Sequence, residues 1–203
     1  FPERAAFLQA DRARVAHWRQ VIHRQTRPVL GLAWRGGLLQ TGRTQRSFVP
    51  AEWASLLRDC PVDWVSLQYG DAADDIAQAA AAGLHMQAFD QALLYDQNEV
   101  AALTCALDGV VTVCSTQAHL TGALGRAGWV LTPYSPNWRY GATGSRMPWY
   151  PTLRLLRQTA PMRLAHAPAV EDDGIALLVA RVAGLQHGAG EVDPRHHGVA
   201  AHH

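Results

Sequence analysis

The sequence predicts an α/β fold, a parallel sheet with helices on both faces. Two observations carry this. The run Val29–Trp34 is apolar throughout, as strands buried on both faces are, and Gly109–Val113 is a second hydrophobic run with Thr112 in it. Stretches long enough for crossover helices separate them.

Taken in order, residues Arg4 to His23 carry Leu8, Val15, Trp18 and Ile22 at helical spacing with arginines between them, which predicts an amphipathic helix. Pro28 ends it, and 29–34 is the first strand. A polar loop, 35–47, leads to Pro50 at the start of a helix over 51–58. Asp63–Gln68 is the second strand, 71–82 a crossover helix and 83–86 a weaker strand. A helix over 99–107 has Asp96 or Asn98 as its cap. Strands at 109–113 and 129–131 flank a helix beginning near Gln117. A Pro- and Trp-rich loop, 133–151, precedes a last strand at 153–156 and a closing helix at 175–185. The expected organisation is one domain over residues 1–186, entered by a helix within 1–27, and a His-rich disordered tail over 187–203.

The 203 residues are 48% hydrophobic and 17% charged, enough for one good core. A net charge of +1 points to neither nucleic acid nor an anionic membrane as partner. All the basic residues are arginine, and without lysine there is no Walker-type phosphate loop and no Schiff-base chemistry. Three cysteines, Cys60, Cys105 and Cys114, have no paired spacing and fit a reducing, cytoplasmic setting. No apolar stretch approaches the roughly 18 residues of a membrane span, and no signal-peptide pattern is present. A start at Phe1-Pro2 suggests a piece of a longer chain.

In parallel sheets ligands sit beyond the carboxyl ends of the strands. That rule collects Trp34 to Gly37, Gln68 to Gly70, Cys114 to His119 and Thr132-Pro133 on one rim. Ser115, Thr116 and His119 stand where a buried strand hands over to a helix, whose first turn leaves about four N–H groups unpaired. Such a junction suits a phosphate or diphosphate; the plainer reading is a helix cap and a core histidine. Arg35, Arg43 and Arg46 lie in the glycine-containing loop after the first strand and suit an anion, or are simply solvated. Glu99 could accept ribose hydroxyls or merely favour the helix dipole. Gln68 is on the same rim, and Trp138, Tyr140, Trp149 and Tyr150 either wall a nucleotide or sugar pocket or tuck onto the core. Cys114 at a helix N-terminus could be a reactive thiol, though only His119 is near enough to assist it. The tail histidines match no defined zinc site.

Taken together, the blocks "GLAWRGG" (31–37), "RSFVPAEW" (46–53), "VSLQYGD" (65–71), "NEVAALTCALDGVVTVCSTQAHLTGALG" (98–125), "WVLTPYSPNWRYG" (129–141) and "MPWYPTLRLLRQ" (147–158) resemble a family. It is that of bacterial glycosyltransferases related to ADP-heptose:lipopolysaccharide heptosyltransferases (family 9). The closer likeness is to the branch in which such a domain follows tetratricopeptide repeats. The resemblance covers roughly Ala16 to Gln158 and implies one Rossmann-like half of a GT-B fold, the half that binds the nucleotide-sugar donor.

On that resemblance Ser115, Thr116 and His119 match the diphosphate-holding motif, Arg46 aligns in its block, and Arg35 and Arg43 share its loop. Gln68, Glu99 and Trp138 fall where nucleoside or sugar contacts are expected. Cys114 stands where heptosyltransferases commonly carry Asp, Thr116 where they carry Gly, Asn98 where an acid is expected, and Gly128 where Pro is usual. The implied reaction is metal-independent sugar transfer to a protein or glycan hydroxyl. The catalytic base and acceptor site would lie on an N-terminal half outside this chain. The rival expectations are a nucleotide-sugar-binding scaffold without catalysis, a nucleotide-sugar epimerase, which shares the architecture, and a purely structural interaction domain.

Overall fold

The computed structural model describes residues 6–22, 26–37 and 43–158. Its centre is a six-stranded sheet: β1 (Val29–Ala33), β2 (Asp63–Ser66), β3 (Met86–Gln87), β4 (Gly109–Val113), β5 (Gly128–Thr132) and β6 (Leu153–Arg157). Every adjacent pair is parallel, in the order β3-β2-β1-β4-β5-β6. That is the doubly wound order of the Rossmann type, and its switch point lies between β1 and β4.

The helices are α1 (Arg12–Val21), α2 (Ala54–Leu57), α3 (Ala73–Ala81), α4 (Gln91–Tyr95), α5 (Gln97–Ala106) and α6 (Thr116–Ala123). Side chains alternate across the strands and so divide the core by face. Leu30, Leu32, Trp64, Val111 and Val113 join Trp53, Leu57 and Ala79 of the α2–α3 side. Val29, Ala33, Val65 and Val110 pack with Trp18 and Ile22 and with Leu103 and Leu107 on the α1–α5 side. Cys114, Ala118, Val130, Tyr140, Leu153 and Leu155 form a third cluster under α6.

Several boundaries differ from the sequence expectation, each for a local reason. The first helix starts at Arg12, because the Asp11 carboxylate accepts the Arg14 amide and caps it there. Upstream, the Phe7 and Leu8 amides donate to the Ala123 carbonyl at 2.7 and 2.9 Å, which commits this segment to the C-terminus of α6 instead. Residues 50–54 make tight turns with bonds from Trp53 to Pro50 and from Ala54 to Ala51, so α2 shrinks to four residues. The third strand falls at Met86–Gln87, later than the 83–86 expected, because α3 runs out through Gly83 at φ 87°. The sequence reading missed α4, which Asp90 caps by accepting from Ala92. Asp96, one of the two expected caps, caps α5 by accepting from Asn98. The expected closing helix at 175–185 and the His-rich tail lie outside the described residues.

Helix α6 ends in a Schellman motif. The Gly125 amide bonds to the Gly122 carbonyl and the Arg126 amide to the Thr121 carbonyl, with Gly125 at φ 67°. Gly122 has its own role: a β-carbon there would come 2.3 Å from Cγ of Tyr150, so the glycine admits that ring. Among the described residues no helix is long and apolar enough to cross a membrane.

Candidate functional site

At the switch point the loops after β1 and β4 touch. A β-carbon on Gly36 would lie 2.7 Å from the Cys114 carbonyl oxygen, so the absence of a side chain lets the two loops meet. Arg46 donates from Nη1 to the same carbonyl at 3.3 Å. The Gly36 amide donates to Oγ of Ser47 at 3.3 Å. The bond to the Cys114 carbonyl places the guanidinium of Arg46 close to the first turn of α6.

The N-terminus of α6 is open. Ser115 occupies the cap position but makes no capping bond; its hydroxyl lies 3.1 Å from Oγ1 of Thr112 instead. The amides of Thr116 and Gln117 precede the first intrahelical bond and keep the partial positive charge of the helix end. Gln117 anchors the helix from behind through Nε2, which donates to Oγ1 of Thr104 on α5 at 3.0 Å, while the Thr121 hydroxyl donates within α6 to the Gln117 carbonyl.

A cleft of about 480 Å³ opens over this end, lined by Gly37, Arg46, Cys114, Ser115, Thr116, His119, Asn137, Arg139 and Tyr140. None of these is acidic. The lining presents donors, two guanidinium groups and an imidazole, a combination that favours an anion over a cation. A hollow of about 470 Å³ at the opposite ends of β2 and β3 includes Asp63 with Arg58 and His85, and its carboxylate opposes that selectivity. Beside the cleft, and sharing Thr116 with it, a recess of about 190 Å³ runs between α4, α5 and α6, lined by Tyr69, Leu94, Tyr95, Val100 and Leu120 among others.

His119 sits in an aromatic slot. Its ring lies 5.8 Å from those of Tyr140 and Tyr150, and Nε2 is 3.4 Å from the Tyr140 hydroxyl. Burial and then the neighbouring Arg139 charge lower its pKa below 6.5, so the imidazole is neutral at pH 7 when the cleft holds no anion. Burial likewise raises the Tyr140 hydroxyl, and the adjacent Cys114 adds to this.

The structure thus brings Arg46, Ser115, Thr116 and His119 together and separates them from the other sequence candidates. Arg35 turns away: its Nη2 donates to the Asp71 carbonyl and its Nε pairs with Asp75 at 3.5 Å, near the start of α3. Arg43 lies one 3-10 turn before Arg46, its carbonyl accepting the Arg46 amide, and its side chain is not among the described cleft lining. Gln68 is a buried clip between the loops that follow β1 and β2. Its Oε1 accepts the amides of Trp34 and Arg35 at 3.0 and 2.8 Å, and Nε2 donates to the Tyr69 carbonyl at 3.0 Å. Glu99 faces α1, where Oε2 accepts from Nε1 of Trp18 at 2.8 Å and Oε1 pairs with Arg14; it is a helix–helix tie. Trp138 remains 70% exposed beside the cleft, edge-on to Trp149 at 6.1 Å and with Arg139 stacked 4.9 Å over its ring.

The structure also disfavours the reactive-thiol reading of Cys114. Cys114 is buried, with its thiol 3.8 Å from the Leu131 carbonyl, and desolvation pushes its pKa to about 12. Burial and this upward shift both disfavour the thiolate, which argues against a reactive thiol at this helix end. Asn137 and Arg139 were missed. Both belong to the block 129–141, whose aromatic content dominates its sequence, and Asn137 caps a 3-10 turn over 138–140. Among the described residues no cluster of His, Cys, Asp or Glu is placed to hold a metal ion.

The sheet order and the open helix end at its switch point define a Rossmann-like α/β unit with a cationic cleft. The solved structure of E. coli ADP-heptose lps heptosyltransferase II has this fold: the TM-score is 0.65 over 92% of this chain and 56% of that one, at 15% identity. By sequence, the chain is 38% identical over 158 residues to Protein FlbA of Caulobacter vibrioides, matching 76% of this chain but only 26% of the relative's length. No protein-family model matches the chain.

Proposed function

We propose that this chain is the donor-binding half of a glycosyltransferase, holding the diphosphate of a nucleotide-sugar in the cleft over α6. The observation that carries the reading is the uncapped first turn of α6 facing Arg46, His119 and Arg139 in a cleft with no acid in its described lining. Backbone amides and fixed cations there would take up the charge that develops on a departing diphosphate. Each well-aimed donor is worth about 3 kcal/mol of barrier by analogy with oxyanion-hole deletions. The recess between Tyr69 and Tyr95 adjoins the cleft at Thr116 and has the apolar walls a nucleobase needs. The fold shared with heptosyltransferase II supports the class, and the acceptor site would belong to a further part of a longer protein. The acceptor would be a protein or glycan hydroxyl, and tetratricopeptide repeats would precede the catalytic unit.

Calorimetric titration with ADP, UDP, GDP, CDP and CMP tests this. One nucleotide should bind saturably, and both Arg46→Ala and His119→Ala should weaken it by at least about tenfold. No binding by any nucleotide, or equal binding by both variants, would remove the site assignment. A second reading, a nucleotide-sugar-binding scaffold without catalysis, is favoured by Cys114, a buried thiol where the heptosyltransferases that the chain resembles commonly carry Asp. Transfer or hydrolysis by a full-length protein, abolished by Arg46→Ala, decides against it.

A further inference from the structure

Arg157, on β6, spends its guanidinium on one loop. Nε donates to the Gly144 carbonyl at 2.7 Å and Nη1 to that of Gly141 at 3.1 Å. Nη2 donates to the carbonyls of Tyr140 at 2.5 Å and Thr143 at 3.3 Å. Gly141 and Gly144 have φ of 64° and 80°, the left-handed backbone that lets the loop curl around the guanidinium. A planar fork of N–H donors can serve several diverging carbonyls, which a point-like ammonium cannot.

The loop held in this way supplies Asn137, Arg139 and Tyr140 to the cleft. Tyr140 is bonded at both ends, its carbonyl to Arg157 and its hydroxyl within 3.4 Å of Nε2 of His119. A continuous path therefore runs from the edge strand of the sheet through the loop to the imidazole on α6.

We propose that Arg157 is a positioning residue for the cleft: it holds the 137–144 loop as a wall against α6 and, through Tyr140, orients His119 toward a bound phosphate. The inference rests on the diphosphate reading above. Arg157 is not among the described residues lining the cleft, so its effect passes through the loop. A misplacement of about 1 Å at a distance from a site can cost up to about a hundredfold in function.

The experiment titrates ADP, UDP, GDP and CDP into the wild type, Arg157→Ala, Arg157→Lys and Tyr140→Phe, and measures backbone hydrogen exchange over 137–144 in each. Arg157→Ala and Arg157→Lys should bind at least about tenfold more weakly and exchange faster in this loop alone. Ethylguanidinium should partly restore binding to Arg157→Ala, a rescue that a general loss of structure would not show. Tyr140→Phe should keep the slow exchange of the wild type yet bind about threefold or more weakly. Wild-type binding with unchanged affinity in Arg157→Ala, or unchanged loop exchange, would overturn the inference. If Arg157→Ala does not fold, Arg157→Lys and Tyr140→Phe decide, and wild-type affinity in both overturns it. No binding by the wild type itself would fail the diphosphate reading, and loop exchange would still decide whether Arg157 holds the wall.

Discussion

The Tyr140 hydroxyl lies 3.4 Å from Nε2 of His119, joining a loop after β5 to the helix after β4. With Tyr150 on another side of the ring, the imidazole is partly withdrawn from water beside the Arg139 charge. Its protonation is therefore coupled both to folding and to any anion in the cleft.

The pH dependence follows from that coupling. The folded pKa of His119 is lowered from 6.5, so the unfolded chain takes up the proton first as pH falls. Its contribution to stability is full above 6.5 and is lost as pH drops through the folded value. Urea unfolding at about pH 7 and about pH 5 should show a smaller acid loss for His119→Gln than for the wild type. An anion in the cleft raises the same pKa, so nucleotide binding should take up a proton and tighten on acidification. Equal proton uptake by wild type and His119→Gln would refute this assignment.

Cys114 should be unreactive in the folded protein. With its pKa pushed to about 12, almost no thiolate exists near about pH 8, and the thiol is also buried. Cys105, half-buried, should be alkylated first, although burial raises its pKa as well. Mass spectrometry of iodoacetamide-treated protein reads the order. Early modification of Cys114 in folded protein would contradict its burial.

Glu99 should matter to stability and not to nucleotide affinity. Its carboxylate holds Trp18 and Arg14 of α1, and hydrogen bonds to a charged group contribute about 1.5–3 kcal/mol each. Because Arg14 is well exposed, most of the effect should come through Trp18. Glu99→Ala should lower the urea midpoint while leaving calorimetric affinities unchanged. Lost affinity with unchanged stability would restore the ribose role instead.

Much of the architecture was legible in the sequence because its signals are local. The runs 29–34 and 109–113 read as buried strands because apolar residues dominate them, and every residue of β1 and of β4 is buried, Thr112 included. The polar junction at Ser115 was visible because a strand, a cluster of hydroxyls and a helix follow one another within a few residues. The start of α1 and the shortness of α2 were not, since they depend on which of several competing caps and turns the backbone adopts.

By itself, then, the sequence determined the alternation of strands and helices and the presence of Ser115, Thr116 and His119 at a helix start. Only the tertiary structure decided the destinations of long side chains. Glu99 bonds to residues 85 and 81 positions away, and Arg35 is drawn to a carbonyl 36 positions away. Tyr140 reaches His119 across 21 positions. Local periodicity carries no information about such pairs: they are set by which segments the sheet order places side by side, and a flexible charged side chain goes to the partner it meets there.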